Sequence, residues 1–185
     1  IGYMRSLNEH AQTRYYMCFA IAILGAQGVS YSGSLLSLYL FYEIITIFTY
    51  PLVAHHQDEE GYAGAKKYIV YLMGTSKGLL LPAMVLTYIF TGTLDFADNI
   101  TTGIFTKGTD GVWVTVTYCL FLFGFAKAAI MPLHNWLPSA MVAPTPISAY
   151  LHSAAMVKAG VYLVARLAPA FADTGMWRPL VVTVG

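Results

Sequence analysis

The feature that most constrains this chain is the recurrence of apolar runs about 20 residues long, each bounded by a short polar segment. In lipid no water satisfies exposed backbone N–H and C=O groups, so runs of that length fold as helices that cross the bilayer. Spans are expected near residues 14–30, 34–54, 67–92, 112–131 and 146–167, with a sixth just begun after Arg178. Composition agrees, since 57% of residues are hydrophobic and only 10% charged, against about 25% charged in an ordinary soluble domain. The expected fold is all-α: a polytopic transmembrane helix bundle of about five spans plus a truncated sixth. The unfinished last span reads 1–185 as an internal fragment of one transmembrane domain, with no separate soluble domain.

The joints between spans carry their own signals. Tyr31-Ser-Gly-Ser34 is short and polar, as a tight connection between antiparallel helices requires. The stretch 55–67, with Asp58, Glu59, Glu60, Lys66 and Lys67, reads as an aqueous loop that includes His55 and His56 as solvated residues. A second loop covers 93–111, with Asp95, Asp98, Lys107 and Asp110. Gly74, Gly78 and Pro82 predict an irregular turn inside the third span, with locally freed backbone groups. Pro132-Leu-His-Asn-Trp-Leu-Pro138 marks the fourth span as discontinuous. Arg5, Arg14, Lys66 and Lys67 on one side, against Lys107, Arg166 and Arg178 on the other, favour the first side as cytoplasmic.

Several classes of function are excluded. The ten Lys and Arg do not form a basic stripe, so no nucleic-acid partner is expected. Cys18 and Cys119 stand alone in apolar runs and read as packing residues, and the chain has no cysteine cluster and no dinucleotide-binding glycine motif. No cofactor is expected, and the chain reads as a transporter rather than an enzyme by itself.

Chemistry is therefore sought among ionisable groups inside the spans, which are costly there and mark ion or proton paths. Glu43 lies in the second span, Lys77 in the third, Lys127 in the fourth and Lys158 in the fifth. One acid cannot pair three bases, and lysines whose protonation depends on their neighbours suit a stepwise proton relay. Lys77 is placed to pair with Glu43. His134 falls seven residues after Lys127, on the same face if the helix is unbroken there, and His152 is a second candidate carrier. Lys158, Tyr162 and Arg166 share a helical face.

The segment Phe125-Ala-Lys-Ala-Ala-Ile-Met-Pro-Leu-His-Asn-Trp-Leu-Pro138, continuing through Tyr150-Leu-His-Ser-Ala-Ala-Met-Val-Lys-Ala-Gly160, resembles the antiporter-like subunits shared by Mrp-type cation/proton antiporters and respiratory complex I. Phe41-Tyr-Glu43 matches the same family's glutamate-bearing helix. The resemblance implies that Glu43 and Lys127 are the family's interacting acid–base pair, with Lys127 on a broken helix and His152 and Lys158 on the next one. Lys77 departs from the small or apolar residue expected at its position. Residues 150–160 look most like the large Mrp subunit, whereas residues 42–51 look closer to the D-type subunit.

The resemblance further implies proton or Na⁺/H⁺ translocation, with other membrane subunits of an Mrp-type antiporter or complex I as partners. The membrane it implies is an inner membrane, bacterial rather than organellar. The competing reading is a proton-inert scaffold subunit. Retention of Glu43, Lys127 and Lys158 argues against it, because apolar replacements would spare several kcal/mol.

Overall fold

The computed structural model describes residues 2–6, 10–96, 111–171 and 177–184, and the described residues are helical almost throughout. Asp98, Lys107, Asp110 and the polar turn near Asp173 lie outside them. A short helix α1 (Gly2–Ser6) precedes α2 (Gln12–Tyr31) and α3 (Leu35–Val53). The predicted tight turn joins α2 to α3. Ser34 caps α3 by accepting from the Ser37 amide, and the Ser37 hydroxyl lies against the Ser34 amide in return. Glycines set the close approach of the pair. A Cβ on Gly25 would lie 2.9 Å from Ile45 Cγ1, and one on Gly28 would collide with the Phe41 ring. Extended backbone beyond the third span returns to this turn, where the Leu35 amide donates to the Leu94 carbonyl (2.7 Å) and the Phe96 amide to the Gly33 carbonyl (3.1 Å).

The stretch expected to be a loop, 55–67, is mostly helix. Helix α4 (Glu59–Thr75) begins at Asp58, whose carboxylate accepts from the Gly61 amide at 2.7 Å, and Glu59 and Glu60 occupy its first turn. An acidic cap and first turn answer the unpaired N–H groups and the positive end of the helix dipole, so the charges that suggested a loop start the helix instead. His55 is likewise not solvated. It is wholly buried, stacked on His10 at 4.8 Å between ring centroids and edge-on to Tyr15 at 5.4 Å, while Arg14 donates to its carbonyl.

After α4 the chain passes through a π-turn, Ser76–Leu80, into α5 (Leu81–Thr91), so that Glu59–Thr91 forms one 33-residue helix. The predicted irregularity is thus one wide turn, placed just before Pro82, whose ring and missing N–H disturb the regular ladder.

Helix α6 (Gly111–Gly124) ends earlier than the expected Met131. A 3₁₀ turn at Ala126–Ala128 follows, Ala129 is left-handed at φ 55°, the Met131–Pro132 bond is cis, and a second 3₁₀ turn covers Leu133–Asn135. Tertiary contacts account for the early end. Gly124 packs on the π-turn, where a Cβ would lie 2.9 Å from the Leu80 amide nitrogen, and the Ala126 carbonyl accepts from the Trp136 indole instead of from a helical amide.

Helices α7 (Trp136–Ser139) and α8 (Thr145–Ala149) lead through a second π-turn, Tyr150–Ala154, to α9 (Met156–Phe171), and α10 spans Trp177–Val184. Three helices are long and apolar enough to cross a membrane: Leu35–Val53, Glu59–Thr91 and Thr145–Phe171. Their packed faces meet around Tyr42, Tyr68, Phe121, Phe125, Trp136 and Leu163, all buried.

Candidate functional site

Every irregular turn in this bundle carries or adjoins one of the polar groups singled out above. Glu43 projects from the middle of α3 and is 9% exposed. Its Oε1 accepts a hydrogen bond from the hydroxyl of Ser76, the first residue of the π-turn, while Oε2 is buried without a hydrogen-bond partner among the described residues. Ser76 therefore takes the place beside Glu43 that the sequence assigned to Lys77. Lys77 instead points outward and is exposed.

Lys127 sits on the 3₁₀ turn that follows α6 and is 1% exposed. Its ammonium donates to the Tyr42 backbone carbonyl and lies 3.3 Å from the centroid of the Tyr42 ring. A buried ammonium is thus met by a carbonyl dipole and an aromatic face, two neutral groups that favour a cation. Glu43 is the next residue in the chain, close enough for its charge to act on Lys127. Yet Glu43 and Lys127 do not form a direct ion pair, and the carboxylate's free oxygen remains the strongest uncommitted acceptor nearby.

The turn that aims Lys127 is fixed on three sides. Trp136, fully buried, donates from Nε1 to the Ala126 carbonyl at 2.8 Å and packs edge-on against Tyr68 of α4 at 5.6 Å. Tyr68 in turn is held by Thr49 of α3 and donates to the Met156 sulfur at 3.2 Å. From α9, Gly160 presses directly on the turn, and a Cβ there would lie 2.6 Å from the Ala128 amide nitrogen. Sequence reasoning missed Tyr42, Ser76 and Trp136 as parts of the site. Only Trp136, set between two prolines, carried a local signal.

The remaining candidates are more dispersed. His134 lies beyond the break and is half-buried, with its Nδ1 unpartnered among the described residues. The broken backbone removes the shared helical face that would have placed it over Lys127. His152 lies in the second π-turn, and both its ring nitrogens are buried without hydrogen-bond partners among the described residues. Lys158 is exposed and lines a cavity of about 240 Å³ between α2 and α9, with Ala26, Ser30, Ala155 and Tyr162. Tyr162 of that face donates to the Ser30 carbonyl, and Arg166 covers the Phe96 ring at 4.7 Å.

Comparison with known proteins bears on the same geometry. The chain is 35% identical over 180 residues to the large A-type component of the Na(+)/H(+) antiporter of Alkalihalophilus pseudofirmus, covering 96% of this chain and 22% of that protein. It is 36% identical over 183 residues to the A1-type component of a Staphylococcus saprophyticus Na(+)/H(+) antiporter, covering 97% and 22%. The chain thus spans about a fifth of the length of these curated relatives. Among solved structures, the Mrp complex from Dietzia sp. DQ12-45-1b matches with a TM-score of 0.81 at 30% identity, over 92% of this chain and 19% of that one. An archaeal membrane-bound sulfane sulfur reductase, a respiratory membrane complex, matches at 0.79 and 35% identity, over 90% and 34%. Residues 32–185, which include the glutamate helix, the broken helix and the helix of His152 and Lys158, match one transmembrane family throughout, so this membrane-embedded chain belongs to the NADH:quinone oxidoreductase/Mrp antiporter family.

Proposed function

We propose that this chain is part of an ion-translocating component of a multisubunit membrane complex of the Na⁺/H⁺ antiporter type, and that Glu43 and Lys127 are its switching pair. The observation that carries the reading is the placement of Lys127. A fully buried ammonium rests on the carbonyl and ring of Tyr42, one residue from a carboxylate with one oxygen free. Two positions are thereby open to the same cation: the neutral seat on Tyr42, and a direct pair with Glu43.

Movement between them alters the field inside a low-dielectric bundle, where charges act on one another strongly. With Lys127 withdrawn, the Glu43 carboxylate favours uptake of a cation, a proton included. With Lys127 engaged, that charge is neutralised and a proton is released. His152 and Lys158, on the helix whose Gly160 presses on the Lys127 turn, are the next stations of the relay, and the 240 Å³ cavity at Lys158 gives it room to move. The partners are the other membrane subunits of the complex, and the transported ions are H⁺ and, in exchange, Na⁺.

The test is ion flux in vesicles containing the full-length protein in its native complex, comparing wild type with Lys127→Ala and Glu43→Gln at matched assembly. Loss of both proton and sodium flux in both variants, with the complex intact, is the expected result. Normal flux in both would overturn the relay and leave the proton-inert scaffold.

A further inference from the structure

Lys77 takes no part in the site described above, and its position in the fold is costly unless something outside this segment covers it. It stands in the π-turn of the 33-residue helix Glu59–Thr91, about 27 Å from the first residue and about 21 Å from the last at a rise of 1.5 Å per residue. The apolar run 68–90 is centred two residues away, which puts Lys77 within about 3 Å of the middle of the hydrocarbon layer. Half that layer is about 15 Å thick, and a lysine side chain reaches only about 6 Å, so its ammonium cannot snorkel to either interface. Lys77 is nevertheless exposed, and among the described residues it has no hydrogen-bond or ion-pair partner.

The surface around it is shaped for a helix. Gly74 and Gly78 flank Lys77, and a Cβ on either would meet nothing within 4 Å. Val70, Leu81 and Val85 extend the strip and are 62%, 42% and 50% exposed. Small residues four apart let a second helix approach the backbone closely. A cation at the bottom of that shallow groove sets what the second helix must carry.

We propose that this face docks a transmembrane helix of a neighbouring subunit that bears a carboxylate at mid-bilayer depth, paired with Lys77. Resting as it does on the multisubunit assembly proposed above, the inference is read out in assembly, whereas the relay is read out in flux at matched assembly. Either can fail alone.

The experiment treats membranes containing the full-length protein in its complex with dicyclohexylcarbodiimide, which enters lipid and activates buried carboxyl groups. The Lys77 amine then displaces the urea leaving group, forming an amide with net loss of water and no spacer. The expected product is a crosslinked peptide joining Lys77 to an Asp or Glu of another subunit. In parallel, Lys77→Met should lower the assembled fraction about tenfold, the scale of one interhelical polar contact, and Lys77→Arg should restore it.

A Lys77 crosslink within the same polypeptide would overturn the assignment to a neighbouring subunit. Labelling of Lys77 by a water-soluble amine reagent in the intact complex would replace the helix with a water-filled crevice. Wild-type assembly of Lys77→Met would remove the pairing altogether.

Discussion

Adding a single methyl group at Gly160 tests whether the Lys127 turn must be held where it is. The new Cβ would lie 2.6 Å from the Ala128 amide nitrogen, 2.8 Å from its Cβ and 3.0 Å from its Cα. None of these atoms can rotate away, so either α9 or the turn has to move by about 1 Å to restore ordinary contact distances of about 3.5–4.0 Å. The turn is the softer side, being a short 3₁₀ segment between a helix end and a left-handed residue. Overpacking of this kind costs about 1–3 kcal/mol. Expressed as a bias against the native seat of Lys127, that cost lowers its population by roughly fivefold to a hundredfold. Proton flux per assembled complex of Gly160→Ala should fall by a factor in that range. Gly33→Ala is the control, since a Cβ there meets nothing within 4 Å. Undiminished flux from assembled Gly160→Ala would refute the claim that the position of this turn governs transport.

Two further substitutions address the other supports. Ser76→Ala removes the hydroxyl that donates to Glu43, leaving neither carboxylate oxygen with a protein donor among the described residues. Loss of a hydrogen bond to a charged group costs about 1.5–3 kcal/mol, so flux should drop at least tenfold while Ser76→Thr retains most of it. Equal flux in both variants would show that the hydroxyl is dispensable. Trp136→Phe leaves the buried Ala126 carbonyl without the indole donor, at a cost of about 1–3 kcal/mol. A lower melting temperature of the complex, with flux reduced in the fraction that remains assembled, is the expected outcome; an unchanged melt and flux would remove Trp136 as a support.

Periodicity and apolar length exposed α3 almost to the residue, with 34–54 expected and Leu35–Val53 found, because this helix is apolar nearly all round and ends at polar turns. The same reasoning failed at α4, where Asp58-Glu-Glu reads as solvent-exposed loop if charge alone is weighed and as a helix start if capping is weighed. The end of α6 was equally out of reach. Phe125-Ala-Lys-Ala-Ala-Ile is a good helical sequence, and only the distant Trp136, Leu80 and Gly160 make a different backbone preferable there. Of the site, Glu43 and Lys127 announced themselves as charges in lipid. Tyr42 and Ser76 did not, since an aromatic and a hydroxyl residue are ordinary in such helices and become specific only when the fold brings them to a charge.

The irregular turns share one physical origin. An α-helix commits each interior carbonyl and amide to its own ladder, which leaves no backbone dipole free to answer a side-chain charge. In water that is harmless; in a bilayer it means that a charged side chain must find its partners among other side chains or among backbone groups that the ladder has released. The π-turn at Ser76–Leu80 sets the Ser76 hydroxyl against Glu43 and the Leu80 backbone against Gly124. The 3₁₀ turn at Ala126–Ala128 frees the Ala126 carbonyl for Trp136 and swings Lys127 onto Tyr42. The π-turn at Tyr150–Ala154 carries His152. Straightening any of these would return backbone hydrogen bonds to the helix and at the same time strand or redirect a polar group in an apolar interior. The ladder gains about 0.5–1.5 kcal/mol per bond, whereas a buried charge left unpaired loses more than that. The broken geometry is therefore the lower-energy one, and it persists because the polar groups lie beside it.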